Sequence, residues 1–99
     1  MTINKKENGT ELELAPVGRL DTSTAPQLET EIMQSIDGVT ALILDFAGLE
    51  YISSAGLRVL IAAQKIMNKQ GSMVVRHANN TIMEVFEITG FSEILTIEE

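Results

Sequence analysis

Residues 49–60 read LEYISSAGLRVL, and the Ser53-Ser54 pair within them has the greatest chemical reach in the chain. An apolar strand pattern stops before the pair and an apolar helix pattern starts after it. A serine at such a junction caps a helix, its oxygen accepting a backbone N–H of the first turn. The same position suits phosphorylation. A strand end feeding a helix start exposes free N–H groups and the positive end of the helix dipole, which stabilise an anion. A phosphate ester there has amide donors within reach, and the small Ala55 and Gly56 leave room for a kinase to approach. Nucleophilic catalysis by Ser54 is disfavoured, because it needs a base and an orienting acid. His77, the single histidine, falls at the end of a later strand, and nothing in the sequence brings it to Ser54. The G-x-S-x-G elbow is missing, since Ile52 stands two places before Ser54.

Other chemistry finds little support. The sequence holds no cysteine, no H-E-x-x-H and neither glycine-rich phosphate motif, so no metal and no cofactor is expected. Asp21 and Asp45 read as a turn or cap residue and a strand-end residue. The 5 methionines sit in or near apolar patterns and read as core or rim.

The elements that carry the pair follow from periodicity. Asn8-Gly9 is a hairpin signal, and ELELAPVGRL after it alternates as a half-exposed strand, with Pro16 expected at its edge or end. Ala25, Leu28, Ile32 and Ile36 repeat at helical spacing. Thr24 and Gln27 form a capping-box pattern, Pro26 lies in the first turn, and Gly38 closes the helix. ALILDF reads as a central strand. Beyond the serines, Val59, Leu60, Ala63, Ile66 and Met67 make a core stripe, and Arg58, Ala62, Lys65 and Lys69 share another, solvated face. QGSMVVRH gives a turn and a strand. NNTIMEVFEITG gives a third helix with Ile82, Val85, Phe86 and Thr89 inward and Gly90 at its end, and ILTIEE a last short strand. The strand–helix–strand unit over 41–76 is expected to be a right-handed parallel crossover. The fold class is therefore α/β: a mixed sheet of four to five strands, with three to four helices packed mainly on one face.

The 99 residues are expected to form one domain over 1–99. A net charge of −7 argues against nucleic-acid binding and against an anionic-membrane anchor. The N-terminus has no apolar leader, and the longest apolar run, VLIAA, is far short of a bilayer span. A complete cytoplasmic protein is the expectation.

These segments, in this order, resemble a family. VGRLDTSTAPQLE (17–29), LILDFAGLEYISSAGLRVLIAAQKI (42–66), GSMVVRHAN and IMEVFEITGFSEILTI are together similar to STAS domains of the bacterial anti-sigma factor antagonist kind. The resemblance covers essentially the whole chain. It implies a switch rather than an enzyme. The unphosphorylated protein binds a histidine-kinase-like serine kinase that is also an anti-sigma factor, and so frees a sigma factor. The kinase then phosphorylates one serine and lets go, and a PP2C-type phosphatase resets the protein. Aligned on Gly56-Leu57, the family's D-S-[ST]-G-L falls on Ser53-Ser54-Ala55-Gly56-Leu57, which makes Ser54 the phosphoacceptor, with Ser53 the alternative. Asp21 matches the family's aspartate near the acceptor. The partner surface implied is Asp21, Thr22, Ser53, Ser54, Gly56, Leu57 and Arg58, on a monomer or weak dimer. The competing reading keeps the fold as a non-switching interaction or ligand-sensing module of a transport or stress-signalling complex.

Overall fold

The computed structural model describes residues 1–98. β1 (Thr2–Asn8) and β2 (Glu11–Leu20) form the antiparallel hairpin signalled by Asn8-Gly9, with Gly9 at φ +63° supplying the left-handed turn residue. α1 (Ala25–Ser35) follows, and Gly38, at φ +78°, turns the chain beyond its C-terminus. Next come β3 (Ala41–Asp45), β4 (Leu49–Ile52), α2 (Ser54–Gln70), β5 (Ser72–Arg76), α3 (Asn80–Thr89), α4 (Phe91–Ile94) and β6 (Ile97–Glu98). The sheet is mixed and has six strands in the order β1-β2-β3-β5-β6, with β4 beside β2. Among the described residues, only the β1–β2 pair is antiparallel. β3 and β5 are parallel neighbours, as a crossover over 41–76 requires.

The strands alternate so that one face is apolar. Leu12, Leu14, Leu42, Leu44, Met73 and Val75 join Leu28, Ile32, Leu60, Ala63, Met67, Ile82 and Phe86 from the helices in one core cluster. Ile43, on the other face of the same sheet, lies outside that cluster. The helices thus cover the face that alternation leaves greasy.

Four details depart from the sequence expectations. Pro16 lies inside β2, not at its end. β3 pairs with β2 over Glu11–Leu14 and β4 over Gly18–Leu20, so Pro16 falls in the gap between two partners, where a missing N–H breaks no ladder bond on that side. β4 is an additional strand within the stretch leading to the serines; it is short and pairs with β2, far back in the chain. The Thr24–Gln27 capping box does not form. Thr24 Oγ1 accepts the Asp21 N–H at 2.9 Å and donates to the Arg19 carbonyl at 2.7 Å, while Gln27 Nε2 donates to the Met1 carbonyl at 3.0 Å. Finally, Thr89 is exposed, not inward; it ends α3 before the left-handed Gly90, and its hydroxyl donates to the Val85 carbonyl at 2.6 Å.

Among the described residues, no helix is long and apolar enough to cross a membrane.

Candidate functional site

β2 and β4 run parallel and end together, and both ends deliver residues of interest. The Ser53 N–H donates to the Leu20 carbonyl at 2.9 Å, which seats the start of α2 against the residue before Asp21. Ser53 is the N-cap of α2, in extended conformation, with its Oγ accepting the Gly56 N–H at 3.4 Å. Its carbonyl accepts the Leu57 N–H at 3.0 Å, the first full helical bond. Ser53 is half-buried, whereas Ser54, the first helical residue, is exposed. The two hydroxyls therefore differ: Ser53 is engaged in holding the helix, and Ser54 is presented to solvent at its positive end.

Gly56 explains why this end of α2 sits so low. A Cβ there would stand 2.7 Å from Leu20 Cγ and 2.8 Å from Ile52 Cγ1, closer than real contacts allow. Gly56 and Leu57 are buried, so both belong to the seat of the helix.

Asp21 organises the loop opposite. Its Oδ1 accepts the Ser23 hydroxyl at 2.8 Å, the Ser23 N–H at 3.0 Å and the Thr24 N–H at 3.2 Å. The Ser23 hydroxyl above all, with those N–H groups and Thr24's hydroxyl, holds the carboxyl below its ordinary range against partial desolvation. Asp21's carbonyl accepts the Ala25 N–H at 2.8 Å, so its side chain orders the turn before α1 and its backbone takes the first N–H of the helix. Arg19, paired across the ladder with Tyr51, lies over that ring at 4.3 Å from its centroid, with Nε 3.9 Å from Asp21 Oδ2.

Between α1 and α2, a concavity of about 190 Å³ is lined by Thr22, Ala25, Pro26, Glu29, Ala55, Arg58 and Val59. Thr22 and Arg58, expected on one surface, do share it. The structure thus brings the Asp21–Thr22 loop and the Ser53–Arg58 segment to one end of the sheet, past the C-termini of β2 and β4.

Sequence reasoning placed Asp45 and His77 at strand ends but missed their pairing, and it missed the reach of Asn79. Asp45 ends β3 and His77 follows directly after the neighbouring β5, with His77 Nδ1 2.9 Å from Asp45 Oδ1 and His77 at φ +61°. Burial pushes the Asp45 carboxyl up, but the His77 contact, the Ala47 N–H and the nearby charges of His77 and Arg76 outweigh it and leave the carboxyl below its ordinary range. Asn79 Nδ2 reaches the Leu49 and Glu50 carbonyls at 3.1 and 3.3 Å, while its Oδ1 caps α3 at Ile82 N–H, 2.8 Å. An asparagine before a helical pattern is a legible cap, but its ties to β4 bridge about thirty residues of chain and leave no local signal. Among the described residues, no group of three or more metal-ligating side chains comes together.

A mixed sheet carries helices on its apolar face, and the capped start of α2 offers an exposed serine at the end of β4, where the Asp21 loop also leaves β2. The chain belongs to the STAS domain family, whose profile matches residues 2–99. It is 40% identical over 82 residues to the candidate anti-sigma factor antagonist BtrV of Bordetella bronchiseptica, covering 81% of this chain and 71% of that protein. It is 30% identical over 102 residues to the anti-sigma-B factor antagonist of Listeria monocytogenes, covering 99% and 89%. The crystal structure of a candidate anti-sigma factor antagonist from Thermotoga maritima superposes with a TM-score of 0.91 at 19% identity, covering 98% of this chain and 86% of that one, and shares the fold.

Proposed function

We propose that this protein is an anti-sigma factor antagonist that works by partner exchange. Unphosphorylated, it binds a histidine-kinase-like serine kinase that also sequesters a sigma factor, and the sigma factor is released. Phosphorylation of Ser54 ends the association, and a PP2C-type phosphatase restores it. The observation that carries this reading is the division of labour between the serines: Ser53 caps α2, and Ser54 stands exposed at its first position. The names of the Bordetella and Listeria relatives support it. In this reading the protein is a substrate and not an enzyme.

The electrostatics suit a switch. A phosphate adds a charge of about −1.5 to −2 at neutral pH. It arrives at a helix N-terminus, which accommodates it within the protein, but beside the ionised Asp21 loop. A partner packed on the neutral hydroxyl then faces a dianion that it must desolvate. A differential cost of about 3 kcal/mol weakens the complex roughly a hundredfold. The proposed contact surface is Asp21, Thr22, Ser53, Ser54 and Arg58, with Gly56 and Leu57 seating the helix beneath it.

The test is a three-component exchange. Each histidine-kinase-like ATPase of the same genome is loaded with the sigma factor it retains, and the unphosphorylated chain is added. Release of the sigma factor by the chain, and no release by the chain phosphorylated at Ser54, is the expected result. Equal behaviour of the two forms contradicts the proposal and favours a non-switching module.

A further inference from the structure

The chain carries 14 acidic and 7 basic residues. Four of the basic residues are satisfied: Lys5, Lys6, Arg19 and Arg76 each hold a carboxylate. Among the described residues, the other three, Arg58, Lys65 and Lys69, form no ion pair, and all three are exposed on α2. Their spacing is not scattered. At about 100° per residue, positions 54, 58, 65 and 69 fall within roughly 60° of one another, on a stripe about 22 Å long. Ser54 stands at its head, and Arg58 already lines the α1–α2 concavity. In a chain with this excess of carboxylates, unpaired cations could readily find local partners at helical spacings of three or four. Here the neighbours one turn away on the stripe are Ser54 and Ala62. The one carboxylate on the facing helix that lines the same concavity, Glu29, forms no ion pair with Arg58.

Resting on the partner-exchange reading, we infer that Arg58, Lys65 and Lys69 form a second docking surface for the serine kinase, and that its occupant there is a run of carboxylates on the kinase's protein surface. The argument is charge complementarity continuous with the phosphoacceptor. An acidic partner segment laid along α2 meets the stripe, and the alignment of the stripe's cations with Ser54 fixes its register with the kinase active site over that serine. Nucleic acid and anionic lipid are poorer occupants, because the net charge of −7 opposes an extended polyanion that must span more of the protein than the stripe, whereas a short acidic segment meets the stripe alone. Exposed charge pairs of this kind act mainly on the association rate and its salt dependence.

The experiment uses the full chain with Lys65→Glu and Lys69→Glu combined, both remote from Ser54 and exposed. Association with the kinase that phosphorylates the wild type is followed at about 50 mM and about 500 mM salt, where screening lengths differ severalfold. Expected is a fall of roughly tenfold in the association rate of the variant at low salt, with most of the salt dependence lost. Ser54 should still be phosphorylated to completion at saturating kinase. An unchanged rate and salt slope in the variant, with the wild type still bound and phosphorylated, overturns the stripe and leaves the partner-exchange reading standing. A wild type that no histidine-kinase-like ATPase of its genome binds or phosphorylates overturns the underlying reading and the stripe with it. Charge-dependent binding to vesicles of anionic phospholipid or to RNA, in place of the kinase, overturns the assigned occupant.

Discussion

The Ser53 N–H and the Leu20 carbonyl meet at 2.9 Å, and this bond fastens the start of α2 to the end of β2. It holds the Ser53–Ser54 segment and the Asp21 loop together at one end of the sheet. Gly56 is what permits the approach, because the helix comes too close to Leu20 for a side chain to stand between them. Gly56→Ala gains about 1 kcal/mol of helix propensity, but overpacking a filled site costs about 1–3 kcal/mol. The obstructing atom, Leu20 Cγ, is a branch point of a fully buried side chain, so overpacking wins. Chemical denaturation should show net destabilisation of about 1 kcal/mol. Gly71→Ala should cost more, since a Cβ there meets the Thr40 backbone carbonyl, which cannot rotate away.

The two serines should separate stability from modification. Ser53→Ala removes a cap whose bond is long, at 3.4 Å, and should cost about 0.5–1 kcal/mol while phosphorylation continues at Ser54. Ser54→Ala touches an exposed hydroxyl and should shift stability by less than about 0.5 kcal/mol while abolishing phosphorylation. Ser54→Asp should stabilise the fold by about 0.3–1 kcal/mol through the helix dipole, and yet weaken kinase binding. Paired denaturation and binding measurements check all three.

Asn79 holds β4 from outside the sheet, through bonds to the Leu49 and Glu50 carbonyls, and caps α3 with the same side chain. Asn79→Ala should cost about 1–3 kcal/mol, since a cap and two carbonyl partners are lost together. Asn79→Ser keeps a cap and drops the ties to β4, so it should recover roughly half of that loss. Thermal or urea unfolding of the two variants makes the comparison.

Acid should loosen the Asp21 loop. Its carboxyl is held below the ordinary range in the folded chain, so the folded state binds the proton less readily than the unfolded chain does. The stability this contributes is fully present above the unfolded value, near 3.8, and is lost as pH falls through the lower folded value. Asp45 has the same sign. Stability measured from about pH 6 down to about pH 3 should therefore fall, and Asp21→Asn should flatten part of that slope.

Most of the fold was legible because its signals are local. The Ser53 cap, Pro26 in the first turn of α1, Gly90 closing α3 and the buried run of β3 each depend on neighbours in sequence. What escaped depends on distant partners. β4 is four residues long and exists because β2 and Asn79 hold it. Pro16 reads as a strand end until the gap between β3 and β4 is known. Thr24 and Gln27 fit a capping box by type, but Asp21 supplies the acceptor first, and Gln27 turns to the N-terminus. At the site, the spacing of Ser54 and Arg58 was visible from the start, whereas the joining of Thr22 and Arg58 in one concavity needed the packing of α1 against α2.

The central claim is that Ser54 carries a reversible phosphate. Peptide mass spectrometry on the protein isolated from its own cells, with Ser53→Ala and Ser54→Ala expressed alongside, tests it most directly. The account predicts one phosphate, on Ser54, retained in Ser53→Ala and lost in Ser54→Ala. A phosphate that survives Ser54→Ala and vanishes in Ser53→Ala, or none under any growth condition, contradicts it.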